Sequence, residues 1–96
     1  MQSYIVCCGT NGRAVIFGKC ESEPICGEPI MLRDARMVLY WPSSCGGLFG
    51  LAAKGPKDGL RLTESVQATA TETVRQWLTV SDDVAGQLRA WPAFTG

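Results

Sequence analysis

The pair Asn11 and Gly12 constrains the fold most, because it separates two apolar runs rich in strand-forming residues. Both residues tolerate positive φ angles, and such a pair between strand-like runs is among the strongest signals of a β-hairpin. Residues 4–8 and 13–20 are therefore predicted to form two antiparallel strands. Gly18, inside the second run, indicates a bulge or a close approach of another backbone.

The next apolar runs, 28–32 and 37–41, flank the segment Arg33-Asp34-Ala35-Arg36. They fit one long bent strand or two strands with a tight turn. We expect a strand, a bend near Arg33 and Asp34, and a second strand. Pro24 and Pro29 keep the preceding segment irregular or at a sheet edge.

A short helix is predicted over residues 45–54. Ser43 or Ser44 is the expected N-cap, and Gly55 followed by Pro56 is the expected end. Helical spacing gives the segment an apolar side that we expect to be buried. Its members are Leu48, Phe49, Leu51 and Ala52.

The C-terminal third combines strand and helix signals. Residues 60–62 predict a short strand, and residues 66–78 alternate with threonines on one side, which favours a strand with a solvated face. A helix over residues 72–78 is the open alternative. Ser81, followed by two aspartates, marks the start of a helix that ends at Pro92.

These elements predict a single α+β domain over residues 1–96. We expect a small antiparallel sheet of about four to five strands with a short middle helix and a C-terminal helix. A chain of 96 residues has room for one core. Because a sheet of this size exposes its edges, a homo-oligomer is a further expectation.

Composition excludes several functional classes. Nine basic and nine acidic residues give zero formal net charge, which argues against general nucleic-acid or membrane-surface binding. Histidine is absent, and with it the commonest general base and metal ligand, so we expect no enzyme, no metal and no cofactor. The five cysteines lack metal-ligand spacing and fit reduced, mostly buried residues of a cytoplasmic protein.

The most distinctive segment joins two arginines, Arg33 and Arg36, to two aromatic residues, Tyr40 and Trp41. Arginine donates bidentate hydrogen bonds to phosphates or carboxylates, and the aromatic rings stack on bases or anchor protein interfaces. In a strand, Arg36, Val38 and Tyr40 share one face, which we interpret as a candidate binding surface. The other face, with Met37, Leu39 and Trp41, is interpreted as core. A purely structural role, with the arginines in ion pairs and Tyr40 covering the core edge, is the alternative.

A second candidate group is basic. Lys54, Lys57 and Arg61 surround a predicted turn and offer contact with a phosphate or an acidic partner. A solvated loop is the alternative reading of the same residues.

Several short motifs resemble a set of small, functionally uncharacterised proteins encoded by bacteriophages and prophages. The most specific motif runs from Leu-Arg-Asp-Ala-Arg into Tyr-Trp, here Leu32 to Arg36 and then Tyr40 and Trp41. The other shared pieces are the Tyr4-Ile5-Val6 strand, Phe17-Gly18, Leu48 to Ala52 with Gly55, Ser81 to Asp83, and Trp91. The chain departs from the pattern at Gly46-Gly47 and in its threonine-rich stretch from Thr69 to Thr73.

The resemblance implies a phage origin and the cytoplasm of an infected bacterium, but no reaction. With the candidate residues, it predicts a non-enzymatic binding protein that counters a host antiviral function. The partner is either a host defence protein or a small nucleotide-like ligand. In the nucleotide version, Arg36→Ala is expected to abolish ligand binding without unfolding the protein. The alternative function is a phage structural or assembly protein that forms a homo-oligomer.

Overall fold

A computed structural model describes residues 1–95 and contains six strands and two α-helices. The strands are β1 (Gln2–Cys8), β2 (Ala14–Cys20), β3 (Met31–Tyr40), β4 (Arg61–Leu62), β5 (Val66–Ala70) and β6 (Val74–Val80). The helices are α1 (Gly47–Lys54), preceded by a 3-10 turn at Ser43–Cys45, and α2 (Asp82–Ala90). The predicted α+β class, with an antiparallel sheet, a short middle helix and a C-terminal helix, is confirmed.

The predicted hairpin is present. β1 and β2 pair antiparallel from Gln2 opposite Cys20 to Cys8 opposite Ala14. Gly12 has a φ of 64°, a left-handed conformation that glycine adopts readily because it has no Cβ. Gly18 marks both a bulge and a close approach, because a Cβ there would lie 3.0 Å from the Cβ of Leu32.

The sheet curls strongly. Its strand order is β4-β3-β2-β1-β6, and β5 pairs with the part of β3 that β4 leaves free. In a flat sheet β5 and β6 would lie four strand spacings apart, about 19 Å. The chain from Ala70 to Val74 spans at most about 14 Å, so the two outer strands must approach each other.

Backbone hydrogen bonds join the two ends of the curled sheet. The Thr71 N–H donates to the Ile30 carbonyl (2.8 Å), and the Val74 N–H donates to the Glu28 carbonyl (3.0 Å). The Gly27 N–H in turn donates to the Val74 carbonyl (2.7 Å). The segment that the two prolines keep irregular therefore runs along the β5–β6 connection and closes the concave side.

Two apolar cores lie on the two faces of this sheet. The helix-covered core is packed beneath α1 and α2, and its largest fully buried side chains are Ile5, Phe17, Leu51, Leu62 and Leu88. The concave core contains no helix residue, and its buried members are Tyr4, Val6, Cys8, Ile16, Cys20, Leu32, Ala35 and Val74. The curl of the sheet explains why these residues are buried without a helix above them.

The start of α1 differs from the prediction. The N-cap is Gly46, with a φ of 81°, and no serine side chain caps the helix because Ser43 and Ser44 belong to the 3-10 turn. Gly50 is required behind that turn, since a Cβ there would lie 1.8 Å from the Cys45 carbonyl oxygen. Of the expected apolar side, Leu51 and Ala52 are buried, Leu48 is half-buried, and Phe49 is 67% exposed.

The remaining predictions concern the C-terminal third. Residues 72–78 are not helical, and the long alternating run divides at Thr71–Thr73 into β5 and β6. The start of α2 is confirmed, because the Ser81 hydroxyl accepts a hydrogen bond from the Val84 N–H and two aspartates follow in the first turn. Gly55 ends α1 as expected, with a φ of 95°.

Candidate functional site

A bulge divides β3 into two halves with different surroundings. Opposite β2, Arg33 pairs with Lys19 and Arg36 with Phe17, so three residue steps on β3 face two on β2. Asp34 takes the left-handed conformation at a φ of 49°, which is unusual for a residue other than glycine. As a result Arg33 and Asp34 are both exposed, between the buried Leu32 and Ala35.

Arg33 lies beside two adjoining open cavities at the first half of β3. The larger, of about 410 Å³, is lined by Met1, Lys19, Arg33, Asp34 and Gln67. The smaller, of about 310 Å³, shares Met1, Lys19 and Arg33 and continues towards Cys20, Glu21 and Ile30. Lys19 Nζ lies 3.2 Å from the Asp34 carboxylate, the one ion pair within residues 1–95. We call this region the Lys19–Arg33 cleft.

Arg36 is buried, with 4% of its surface exposed. Its Nη1 donates to the carbonyls of Leu88 (2.8 Å) and Trp91 (2.6 Å), and its Nε donates to the Thr63 carbonyl (2.9 Å). Burial lowers the pKa of Arg36, while the nearby charge of Glu64 acts to raise it. The guanidinium therefore adds donors at the carboxyl end of α2, where the Leu88 carbonyl also accepts from the Trp91 N–H (3.4 Å).

The interpretation of the two faces is wrong for residues 36–39, whereas Tyr40 is exposed and Trp41 packs against the helix-covered core, as expected. Arg36 and Val38 point into the helix-covered core, whereas Met37 and Leu39 are 41% and 48% exposed. The physical reason is the carboxyl end of α2, whose carbonyls accept hydrogen bonds from the buried Arg36. An apolar side chain at position 36 would have no donor to offer them. Hydrophobicity alone therefore assigned the wrong face to the core.

At the other end of β3, three side chains form what we call the aromatic–arginine patch: Tyr40, Arg61 and Phe94. Tyr40 and Arg61 are cross-strand partners of β3 and β4. The Arg61 guanidinium carbon lies 5.4 Å from the centre of the Tyr40 ring and 4.6 Å from that of Phe94. Tyr40 is 50% exposed and Phe94 is 43% exposed, so the stacked group faces solvent.

Phe94 is held in place by its backbone. Its N–H donates to the Leu62 carbonyl (2.8 Å), and Ala93 forms a parallel bridge with Leu62. The Trp91 indole N–H also donates to the Leu60 carbonyl (2.9 Å). The residues after α2 thus lie along β4, and they bring to the patch a ring that sequence reasoning did not identify.

The other predicted site residues lie apart from the patch or beside it. Trp41 is half-buried and packs against the helix-covered core. Lys54 is exposed at the end of α1, and Lys57 is exposed in the turn before β4, where its carbonyl accepts from the Leu60 N–H. Arg33 and Tyr40 are seven residue steps apart along an extended strand, about 23 Å. They therefore do not form one small-molecule site.

The cysteines form no disulfide within the described part of the chain. Burial raises the pKa of the Cys7 thiol, and burial is also the main cause of the raised pKa of Cys8. Both shifts favour the protonated, unreactive thiol. Cys26 is exposed. No group of three or more acidic or cysteine side chains able to hold a metal ion occurs in residues 1–95.

Comparison with known proteins identifies a family. Residues 1–88 match the model described as Domain of unknown function (DUF6948). The chain belongs to the DUF6948 family. No curated protein and no solved structure matches it. In the described residues, no helix is long and apolar enough to cross a membrane.

The candidate site residues differ in whether they lie within the family match. Lys19, Arg33, Arg36 and Arg61 all lie within the matched residues, whereas Phe94 lies beyond them. Sequence reasoning also missed Lys19, which lies opposite Arg33 and forms the ion pair with Asp34. Gly18 was the available signal, because a bulge opposite it could have indicated that Arg33 and Asp34 project together.

Proposed function

We propose that this member of the DUF6948 family is a phage-encoded, non-enzymatic binding protein that counters a host antiviral function by contacting a protein effector. The contact is made through the aromatic–arginine patch in the cytoplasm of the infected bacterium. The phage setting is supported by the resemblance of the Leu32-to-Trp41 segment to phage and prophage proteins.

The stacked, half-exposed arrangement of Tyr40, Arg61 and Phe94 carries the proposal. Tyrosine and arginine are enriched among the residues that dominate binding energy at protein interfaces. The two rings limit the freedom of Arg61 before a partner binds, which lowers the entropic cost of ordering it. Leu39, on the same end of β3 and 48% exposed, adds apolar surface nearby.

The positions of the arginines favour a protein over a nucleotide shared between Arg36 and Tyr40. Arg36 is buried and bonded to backbone carbonyls, so its guanidinium is not available to a phosphate on the surface. Arg61 remains beside Tyr40, but both rings already stack on it. A broad protein surface uses such a group without needing an enclosed pocket.

The experiment compares the wild-type protein with the double variant Arg61→Ala, Phe94→Ala. Each is expressed in bacteria that carry antiviral defence systems, one system per strain, and phage plating efficiency is measured. We expect the wild type to restore plating on at least one strain, and the double variant to lose this effect. Arg13→Ala, an exposed arginine on the hairpin, is the matched control.

A protein that restores plating should also form a complex with the effector of that strain on size exclusion. Equal restoration by the wild type and the double variant would contradict the role of the patch. Unchanged plating across all strains would contradict the antiviral-defence function itself.

A structural or assembly protein that forms a homo-oligomer is the second candidate. β5 favours it, because within residues 1–95 this strand pairs with β3 alone, carries no charged residue and is exposed along most of its length. Since the Thr71 N–H points towards β3, alternation turns the Ala68 N–H outward. Light scattering after size exclusion should then show an oligomer that Ala68→Pro dissociates, and a wild-type monomer would contradict this candidate.

A further inference from the structure

We propose that the Lys19–Arg33 cleft binds the oxyanion group, phosphate or carboxylate, of a small ligand. This site lies at the opposite end of β3 from the aromatic–arginine patch, so it does not depend on the proposed protein contact. Arg33 supplies the principal contact, Lys19 and Gln67 supply further donors, and Asp34 restrains Lys19 while the site is empty of ligand.

The backbone builds the cleft. The extra residue in β3 turns Arg33 and Asp34 outward together, and Lys19 is the β2 residue directly opposite Arg33. From the other side, Ala68 of β5 pairs with Arg33, which places Gln67 at the rim. Two cationic side chains and an amide thus reach one cavity from three neighbouring strands.

The left-handed conformation of Asp34 is a second observation at the same place. Backbone strain of this kind is concentrated at binding sites, where the surrounding structure maintains a conformation that the residue does not prefer. Bulges likewise occur near functional sites, because they redirect a side chain out of the strand alternation. Here both features serve to direct Arg33 into the cleft.

The charged residues that line the two cavities are Lys19, Arg33, Asp34 and Glu21, two cations and two carboxylates. Glu21 lines the smaller cavity and not the larger, and in the larger one Asp34 already pairs with Lys19, so the charge of Arg33 remains and favours an anion there. Arg33 is exposed, and its guanidinium takes part in no ion pair within residues 1–95. A guanidinium offers paired N–H donors that match the geometry of phosphate and carboxylate oxygens. Lys19 is 32% exposed, and a ligand oxyanion can replace the Asp34 carboxylate as its partner.

The dimensions favour a small molecule. Cavities of about 410 and 310 Å³ that share three lining residues fall within the size range of small-ligand sites. The smaller cavity adds Pro29, Ile30 and Met31, which provide apolar contact for the uncharged part of a ligand. The expected ligand therefore carries an oxyanion at one end and an apolar or ring portion at the other.

The test is isothermal titration calorimetry with two probes, inorganic pyrophosphate and citrate, at low ionic strength. We expect saturable binding of at least one of them, and the preferred probe identifies the ligand as phosphate-bearing or carboxylate-bearing. Arg33→Ala should weaken that binding about tenfold. Asp34→Asn should tighten it about threefold, because it frees Lys19 and still tolerates the left-handed backbone.

Two controls separate a site from general charge attraction. Arg13→Ala removes a positive charge outside the cleft and should leave the affinity unchanged, and Asp58→Asn does the same for a negative charge. Urea unfolding of each variant checks that the fold is retained, and amide NMR shifts upon titration should cluster at Lys19, Arg33 and Gln67. Absence of saturable binding, shifts elsewhere, or equal effects of each cleft variant and its control would overturn the proposal.

Discussion

Arg33 and Arg36 lie three residues apart on β3, yet they serve different purposes. Arg33 is exposed beside an open cleft, whereas Arg36 is 4% exposed and donates hydrogen bonds to four backbone carbonyls. The residue type is the same and the strand is the same. The bulge at Asp34 and the position of α2 make the difference.

This comparison shows that surroundings, and not residue type, decide what an arginine does. A buried guanidinium is tolerated only where its donors are satisfied, and the carboxyl end of α2 offers the necessary acceptors. An exposed guanidinium keeps its donors free for a partner. The expected consequences differ most in stability.

The largest predicted effect is that of Arg36→Ala. The substitution removes the Arg36 hydrogen bonds to the carbonyls of Thr63, Leu88 and Trp91 and opens a cavity beneath α2, so we expect a loss of about 3 kcal/mol in the free energy of unfolding. Arg33→Ala should change it by less than about 0.5 kcal/mol. Urea unfolding followed by tryptophan fluorescence measures both.

Arg36→Lys is the matched control for the buried position. It keeps the positive charge but loses the planar set of donors, so its stability should fall between those of the wild type and Arg36→Ala. Equal stability of Arg36→Ala and Arg33→Ala would contradict the conclusion that Arg36, unlike Arg33, stabilises the fold. A stable Arg36→Ala protein would also support the sequence-based interpretation of Arg36 as a ligand-binding residue on the surface.

The sequence predicts much of the fold because its strongest signals are local. The Asn11-Gly12 pair indicates the first hairpin, although the positive φ angles of the turn lie at Gly9 and Gly12 and not at Asn11. Ser81 with its two aspartates indicates the start of α2. Residues 66–80 were harder, because the division into β5 and β6 depends on pairing with β3 and β1, which are distant in the chain. The N-cap of α1 was missed since the 3-10 turn uses both serines.

The sites were less predictable, for a physical reason. Strand alternation correctly grouped Arg36 with Val38, but only α2 reveals which face is buried, and α2 begins more than forty residues later. Likewise, Phe94 reaches Arg61 through the pairing of Ala93 and Phe94 with Leu62, for which the local sequence gives no signal. Arg61 was identified because it belongs to a visible basic cluster, although its partners were not.

The thiols extend the comparison of buried and exposed groups. Burial raises the pKa of Cys7 and Cys8 above the ordinary 9.0 of a thiol, so the unfolded chain releases protons at a lower pH than the folded protein. The part of the stability that depends on these two protonated thiols is therefore fully present below about pH 9. Above that pH it is lost by at most about 1.4 kcal/mol per pH unit for each thiol. The buried Tyr4, whose pKa is raised mainly by burial, adds a loss of the same sign above pH 10.

Urea midpoints between pH 7 and pH 10.5 measure this loss. Cys26→Ser, at the exposed thiol, should leave the alkaline decline unchanged, whereas Cys8→Ala should reduce its slope. A midpoint that stays constant up to pH 10.5 would contradict the assigned burial of these thiols.

A smaller effect is expected at Asp34, where the backbone conformation itself is tested. Asp34→Ala and Asp34→Gly both remove the ion pair with Lys19, so their difference isolates the cost of a Cβ at a φ of 49°. Glycine should make the protein more stable than alanine by about 1 kcal/mol. Thermal or urea unfolding measures the difference, and equal stabilities would show that the bulge relaxes without its left-handed residue.

A change in stability much smaller than that of Arg36→Ala is predicted for Arg61→Ala, and it distinguishes an interface residue from a structural one. An exposed cation–π contact contributes about 0.5–1 kcal/mol, so the loss of both ring contacts should leave the fold intact, unlike the loss of Arg36. The same substitution should nevertheless abolish binding to a protein effector, because it removes the charge that the two rings hold in place. Arg61→Lys retains a cation without the planar guanidinium and should recover part of that binding. A destabilisation as large as that of Arg36→Ala would instead make Arg61 a second structural arginine, whose main role is to fix the residues after α2 to β4.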